Sequence, residues 1–263
     1  MATHAPHGLT YQLRGAGETI VFLHALGTSS HLWDGLPPPG APWRLLAPDM
    51  RGHGDCAPAA DGNYAFDRLA ADVVQLLDLH GIARAPVVGI SVGGEIAQVL
   101  AALHPERVER LLLVSTACVT HADRARLWSE RIARAASAGM PAVAAEAVRR
   151  WFTVPFQQTH PEAVGKWERI VAQTSLAGYI GIARTIERMD LRPLLGKIRC
   201  PTWVLSGALD AATGLTAGEE IARGIPGAIH RVIDEAGHLW NLESPSLFGR
   251  ELESWLQATS LTV

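Results

Sequence analysis

The stretch Gly89-Ile90-Ser91-Val92-Gly93 places one hydroxyl between two glycines, where an apolar run ends and a helical pattern begins. A serine hydroxyl is a poor nucleophile at its own pKa and needs a nearby base. It must also point into a site and away from the core. A sharp strand-to-helix turn achieves this by holding the serine in a strained backbone conformation, and bulk two residues away on either side would clash. Gly94 leaves further room for close helix–strand packing. The chemistry this pattern predicts is acyl transfer through Ser91. The helix N-terminus at Val92 offers unpaired N–H groups and a positive dipole end, so the Val92 amide is expected to face a growing oxyanion. A second donor should come from the loop after an earlier strand. In "FLHALGTSS" (22–30) the Leu26 amide is the candidate, and His24 is read as ordering the loop.

A general base must reach Ser91, and a carboxylate must orient it. Of eleven histidines, only His238 follows a late strand in a polar, glycine-marked loop, "IDEAGHLWNLESP". Asp210 directly follows the apolar run 202–207. The chain order Ser91, Asp210, His238 is the one that a nucleophile on such a turn uses. Asp234 and Glu235 are alternative acids, but they stand too close to His238 in sequence to be preferred.

These residues need a scaffold. Short apolar runs at 19–23, 44–49, 85–90, 110–115, 202–207 and 229–234 read as strands, with an earlier candidate at 9–13. Near-continuous apolar strands point to a mostly parallel sheet covered on both faces. Residues 66–81, 92–103 and 245–256 read as helices, and the alternation is that of an α/β fold. From about His121 to Arg192 no strand is convincing and helical patterns dominate. Residues 121–192 are therefore expected to be a helical lid, inserted into a core made of 1–120 and 193–263.

The chain has 263 residues, 48% hydrophobic and 19% charged, which suits one large α/β domain with an insertion. A net charge of -3 without a basic block makes nucleic acid an unsuitable partner. No apolar run approaches the roughly 20 residues needed to span a bilayer. The start "MATHAPHGLTYQ" has neither the basic nor the apolar part of a signal peptide, so a cytoplasmic location is expected. Cys56, Cys118 and Cys200 fit neither a disulfide framework nor a zinc pattern. "DMRGHGDC" (49–56) groups Asp49, His53 and Asp55, but the spacing matches no standard ligand set and Arg51 would repel a cation. It reads as a tight loop in which Arg51 and Asp49 organise the region under the site, with Arg51 counted on the substrate side.

Essentially the whole chain resembles the α/β-hydrolase fold family, and within it the 3-oxoadipate enol-lactonases. The carrying stretches are "LGTSSHLWD", "DMRGHG", "GISVGGEIAQVLAALHPERVERLLLVSTA", "RRWFTVPF", "AGYIG", "DLRPLLGKIRCPT" and "LSGALDAAT". The resemblance implies hydrolysis of a five-membered enol-lactone bearing an acetate side chain, with no cofactor or metal. The sequence departs from that pattern at Ile182-Ala183-Arg184, at Glu187 and at Trp240. These positions bear on the substrate. Trp33, Trp151, Tyr179 and Trp240 are expected to wall the pocket, and Arg184 is the candidate for holding a substrate carboxylate. A general carboxylesterase, another lactonase or a carbon–carbon hydrolase would use the same three residues. A non-catalytic binding protein on the same fold is the alternative from another class.

Overall fold

The computed structural model describes residues 3–4 and 8–258. Part of the N-terminal stretch read for a leader, residues 1–2 and 5–7, lies outside them. Eight strands form one sheet: β1 (Thr3–His4), β2 (Thr10–Gly15), β3 (Glu18–Leu23), β4 (Trp43–Pro48), β5 (Ala85–Ile90), β6 (Val108–Val114), β7 (Thr202–Gly207) and β8 (Ile229–Ile233). Their order is β1-β2-β4-β3-β5-β6-β7-β8. From β4 to β8 every neighbouring pair is parallel, while β1 and β2 add an antiparallel edge. Chain order turns back on itself between β3 and β5, because β4 lies on the far side of β3. The loops leaving β3 and β5 therefore part and open a crevice at the carboxyl ends of the strands.

Burial follows position in the sheet. Every residue of β5 is buried, as a central strand covered on both faces requires. The edge strand β8 departs from that expectation: only Ile233 is buried, and Ile229 and Val232 are exposed. Helix α1 (Phe66–Leu79) buries Phe66, Leu69, Ala70, Val73, Leu76 and Leu77 along one stripe. It packs on α2 (Val92–Leu103), which is buried from Val92 to Ala102. A helix covered on nearly all sides is held rigidly, and the residue at its head is held with it.

Between β6 and β7 come α3 (Ala122–Ala138), α4 (Pro141–Trp151), α5 (Val154–Thr159), α6 (Pro161–Gln173) and α7 (Leu176–Glu187). Local chemistry sets these helices. Proline occupies the first turn of α4, α5 and α6. The Thr153 and Ser175 hydroxyls cap α5 and α7 by accepting from the Phe156 and Gly178 amides. A single bridge, Val119 to Asp190, joins the two ends of the segment. Helices α8 (Arg192–Leu195), α9 (Leu215–Gly224), α10 (Trp240–Glu243) and α11 (Pro245–Gln257) complete the chain.

The "AGYIG" stretch has a packing function. A Cβ on Gly178 would come within 2.6 Å of the Gly52 Cα, and one on Gly181 within 2.1 Å of the Tyr64 ring. Glycine at both positions lets α7 lie directly on the loops after β4, which turns Tyr179 to the opposite side.

Candidate active site

Ser91 sits between β5 and α2 with φ 54° and ψ −126°, a left-handed conformation that strains a residue with a side chain. The surroundings enforce it. The Ser91 amide donates to the Val114 carbonyl (3.0 Å), and the Ser91 carbonyl accepts from the Thr116 hydroxyl (2.7 Å) and the Gly94 amide (2.8 Å). A Cβ on Gly89 would lie 2.4 Å from the Gly93 carbonyl oxygen, and one on Gly93 2.2 Å from that of Leu23. The flanking glycines are thus a steric condition of the turn.

His238 stands in the loop after β8. Its Nε2 lies 3.0 Å from Ser91 Oγ, and its Nδ1 lies 2.9 Å from Asp210 Oδ2. Asp210 follows β7 and is buried; Asp234 and Glu235 are exposed. Burial alone would raise the Asp210 pKa. The His238 charge and hydrogen bond, helped by Thr213, outweigh burial and bring it down to about 2. Asp210 is then an acceptor only, so His238 Nδ1 carries the proton and the Nε2 lone pair faces the serine hydroxyl. The Ala212 and Thr213 amides and the Thr213 hydroxyl also donate to the carboxylate and hold it in place.

The loop after β3 passes beside Ser91. Among the described residues, neither the Leu26 amide nor the Val92 amide has a protein acceptor. His24 is fully buried below them. Its Nε2 accepts from the Met50 amide (2.9 Å), and its Nδ1 lies 2.9 Å from the Ala25 carbonyl. Burial lowers its pKa despite the Asp49 charge. His24 therefore joins the two loops as a neutral ring. Asp49 accepts from the Thr10 hydroxyl and the Ser30 amide, so its carboxylate is committed to structure.

Ser91, His238 and Leu26 open on a cavity of about 330 Å³. The helical segment supplies its far wall: Trp128, Arg131, Trp151 and Tyr179. The Arg131 guanidinium lies 4.6 Å above the Trp128 ring and 3.7 Å from Glu146, and its side chain is 10% exposed. Burial raises the pKa of the Tyr179 hydroxyl, with the Arg131 charge partly offsetting it. The two walls are tied together. The Trp151 carbonyl accepts from the His238 and Leu239 amides (2.9 and 3.0 Å). Glu243 accepts from the Thr153 and Gly237 amides, and the Thr174 hydroxyl donates to the Gly27 carbonyl.

Several expected pocket residues lie elsewhere. Trp33 and Trp240 are core residues: Trp33 packs on Phe22 (5.1 Å) and Phe248 (5.9 Å), and Trp240 packs on Phe248 (5.3 Å). Neither lines the cavity. Arg51 makes a bidentate pair with Asp72 (2.5 and 2.7 Å), which spends its guanidinium on the loop. Arg184 is exposed and lines a separate groove beside Tyr64 and Ile180. It fails to meet Tyr179 because α7 presents the two residues on different faces. Among the cavity-lining residues that the sequence did not single out are Arg131 and Glu95. Arg131 sits in the apolar stripe of α3 beside Ile132 and Ala135, an unusual place for arginine that spacing alone could have flagged. Glu95 lies one turn after Ser91 on α2.

Comparison with known proteins agrees with this architecture. A family model described as alpha/beta hydrolase fold matches residues 18–245. The chain is 32% identical to 3-oxoadipate enol-lactonase 2 of Acinetobacter baylyi, over 94% of this chain and 92% of that protein. A hydrolase from Pseudomonas aeruginosa PA01 superposes with a TM-score of 0.90 at 34% identity, covering 98% of each chain. The enol-lactonase of Burkholderia xenovorans LB400 superposes with a TM-score of 0.89 at 31% identity, covering 95% of this chain and 96% of that one. With a family match across most of its length, the chain belongs to the alpha/beta hydrolase fold family.

Proposed function

We propose that the protein is a carboxylic ester hydrolase that opens small lactones through a Ser91–His238–Asp210 triad, with 3-oxoadipate enol-lactone as the substrate. The observation that carries this reading is the hydrogen-bonded line from Ser91 Oγ through His238 to Asp210, ending beside two unpaired amides. Segment 121–192 acts as the cap that selects substrate, and 1–120 with 193–263 form the catalytic core. Among the described residues no helix is long and apolar enough to cross a membrane. A cytoplasmic place in the degradation of aromatic compounds goes with this substrate.

The steps follow from the geometry. Ser91 Oγ bonds to the ring carbonyl carbon while His238 Nε2 takes its proton. Asp210 stabilises the imidazolium, and the Leu26 and Val92 amides hold the oxyanion. The ring C–O bond breaks, and His238 returns the proton to the departing enol oxygen. The enol tautomerises to a ketone, which makes it a good leaving group. A water then gives its proton to His238 and attacks the acyl carbon, and Ser91 Oγ leaves with that proton. The product is a dicarboxylate.

A substrate carboxylate calls for a charged donor. Arg131 replaces Arg184 in this role, because it lines the cavity and its ring partner Trp128 keeps the guanidinium in place. The test is a hydrolysis panel of acetate-bearing enol-lactone, neutral lactones and short nitrophenyl esters, with Ser91→Ala as control. The acidic lactone should turn over fastest. Neutral substrates faster by orders of magnitude would remove the enol-lactone assignment and leave the hydrolase. Failure of a fluorophosphonate to label native Ser91 would remove both, in favour of a binding protein.

A further inference from the structure

The triad and the amides account for the attack, but one group on the same wall of the cavity has no part in it. Glu95 lines the cavity, is 4% exposed, and belongs to the first turns of α2, four residues after Ser91. Ser91 and Glu95 line the same cavity. Among the described residues its carboxyl has no hydrogen-bond partner, and Oε2 is wholly buried. Buried polar groups are almost always paired, so an unpaired one beside a reactive serine points to a partner that arrives with the substrate. Burial, with no charge to offset it, pushes the Glu95 carboxyl up to about 8, so near neutrality the group is a carboxylic acid with a proton to donate.

The class of reaction tells what it would meet. A simple ester loses its alcohol once the acyl-enzyme forms. A lactone does not, because the leaving oxygen stays tethered to the acyl chain inside the cavity and, for an enol until it tautomerises, can attack the acyl carbon again. We infer that Glu95 is a specificity-determining residue whose neutral carboxyl donates a hydrogen bond to this tethered oxygen, holding the opened chain away from re-closure and favouring lactones over linear esters. The inference rests on the hydrolase reading above. Glu95 remains a hydrogen-bond donor throughout and takes no proton from water or from His238.

Other titratable groups share the cavity. Cys118 lines it from the loop after β6, and His121, Asp123 and Arg124 from the start of α3. Arg131, Arg150 and Tyr179 line it from the helical segment, and Glu220 and His238 from the core. None of them is a hydrogen-bond partner of Glu95 among the described residues, so its proton is free for a ligand.

The experiment compares kcat/KM for a lactone and for the linear ester of the same acyl group, in wild type, Glu95→Gln and Glu95→Leu. Gln keeps a neutral donor; Leu keeps the volume and removes it. Glu95→Leu should lower the lactone-to-ester ratio about tenfold, the value of one hydrogen bond, and Glu95→Gln should keep it within about threefold. In wild type the ratio should fall as pH rises through about 8, where the carboxyl ionises, and in Glu95→Gln it should not. Infrared spectra of the substrate-free protein at pH 7 should show a protonated-carboxyl band that Glu95→Gln lacks. An unchanged ratio in Glu95→Leu, equal pH profiles, or absence of that band overturns the inference while the hydrolase stands. A native protein that neither hydrolyses esters nor labels at Ser91 overturns the reading and the inference together.

Discussion

The two walls of the cavity are built by different means. The wall at the sheet includes Leu26, Ser91, Glu95 and His238, with Asp210 behind the histidine, and the backbone fixes most of it: strand ends, a left-handed serine, glycines that admit no Cβ, and amides with no acceptor among the described residues. The opposite wall includes Trp128, Arg131, Trp151 and Tyr179, side chains that reach in from three helices, with the Arg131 guanidinium set over the Trp128 ring. On the first wall, the Ser91–His238–Asp210 line addresses only the bond to be cleaved, while Glu95 beside it faces the rest of the cavity. In the proposed reading, bond cleavage and most of the selection are thus carried by different parts of the chain, joined at a few points such as the Trp151 carbonyl and Glu243.

If that division holds, damage to the Ser91–His238–Asp210 line should strike every substrate alike. Ser91→Ala should lower turnover of lactones and nitrophenyl esters by about a million-fold, because the residual rate comes only from binding and the oxyanion donors. Asp210→Asn should cost about 10⁴-fold, since an amide at that position no longer fixes the proton on His238 Nδ1. Both are read from kcat on the whole panel. Unequal losses across substrates in either variant would show that the Ser91–His238–Asp210 line itself also selects.

The two walls also differed in how well the sequence revealed them. Ser91, Asp210 and His238 now lie within hydrogen-bond distance in a line, and their signals were local: two glycines, strand ends and chain order. Strands β5 and β7 fall where their apolar runs place them, at 85–90 and 202–207. The helical wall gave no such signal. Whether an aromatic residue faces a cavity or the core depends on the rotation of its helix and on what packs behind it. Trp33 and Trp240 looked like pocket residues because they neighbour site loops, yet both pack on Phe248. Arg184 stood near the Gly-Tyr motif in sequence, but Gly178 and Gly181 dock α7 in the orientation that leaves it outside.

Glu95 gives the sheet-side wall a pH-dependent stability cost. Glu95 has its pKa raised by burial from the usual carboxylate value to about 8. A raised folded-state pKa means that the contribution is fully present below about pH 4.5 and is lost as pH climbs through 8. At about 1.4 kcal/mol per pH unit, the loss at pH 7 is of the order of 3 kcal/mol. Denaturant unfolding between pH 5 and pH 9 should show wild type losing stability relative to Glu95→Gln, most of it by pH 8. Parallel curves would mean that the carboxyl is already ionised in the folded protein.

The smallest effects test the selecting wall, and they separate two arginines. Arg131→Ala should raise KM for the acetate-bearing lactone roughly 10- to 100-fold, the range of a charge-assisted hydrogen bond, with a much smaller change for neutral esters. Folding should survive the change, because Glu146 keeps its second partner, Arg134, at 2.5 Å. Arg131→Lys preserves charge but not the forked donor or the flat contact on Trp128, and should fall between the two. Arg184→Ala should leave KM for the acidic lactone within about twofold of wild type, since an exposed residue in a separate groove gains nothing from a ligand in the cavity. The opposite pattern, with Arg184 controlling KM and Arg131 silent, would require α7 to rotate in solution. The packing of Gly178 on Gly52 opposes that rotation, because any turn of α7 would drive a side chain into the Gly52 backbone.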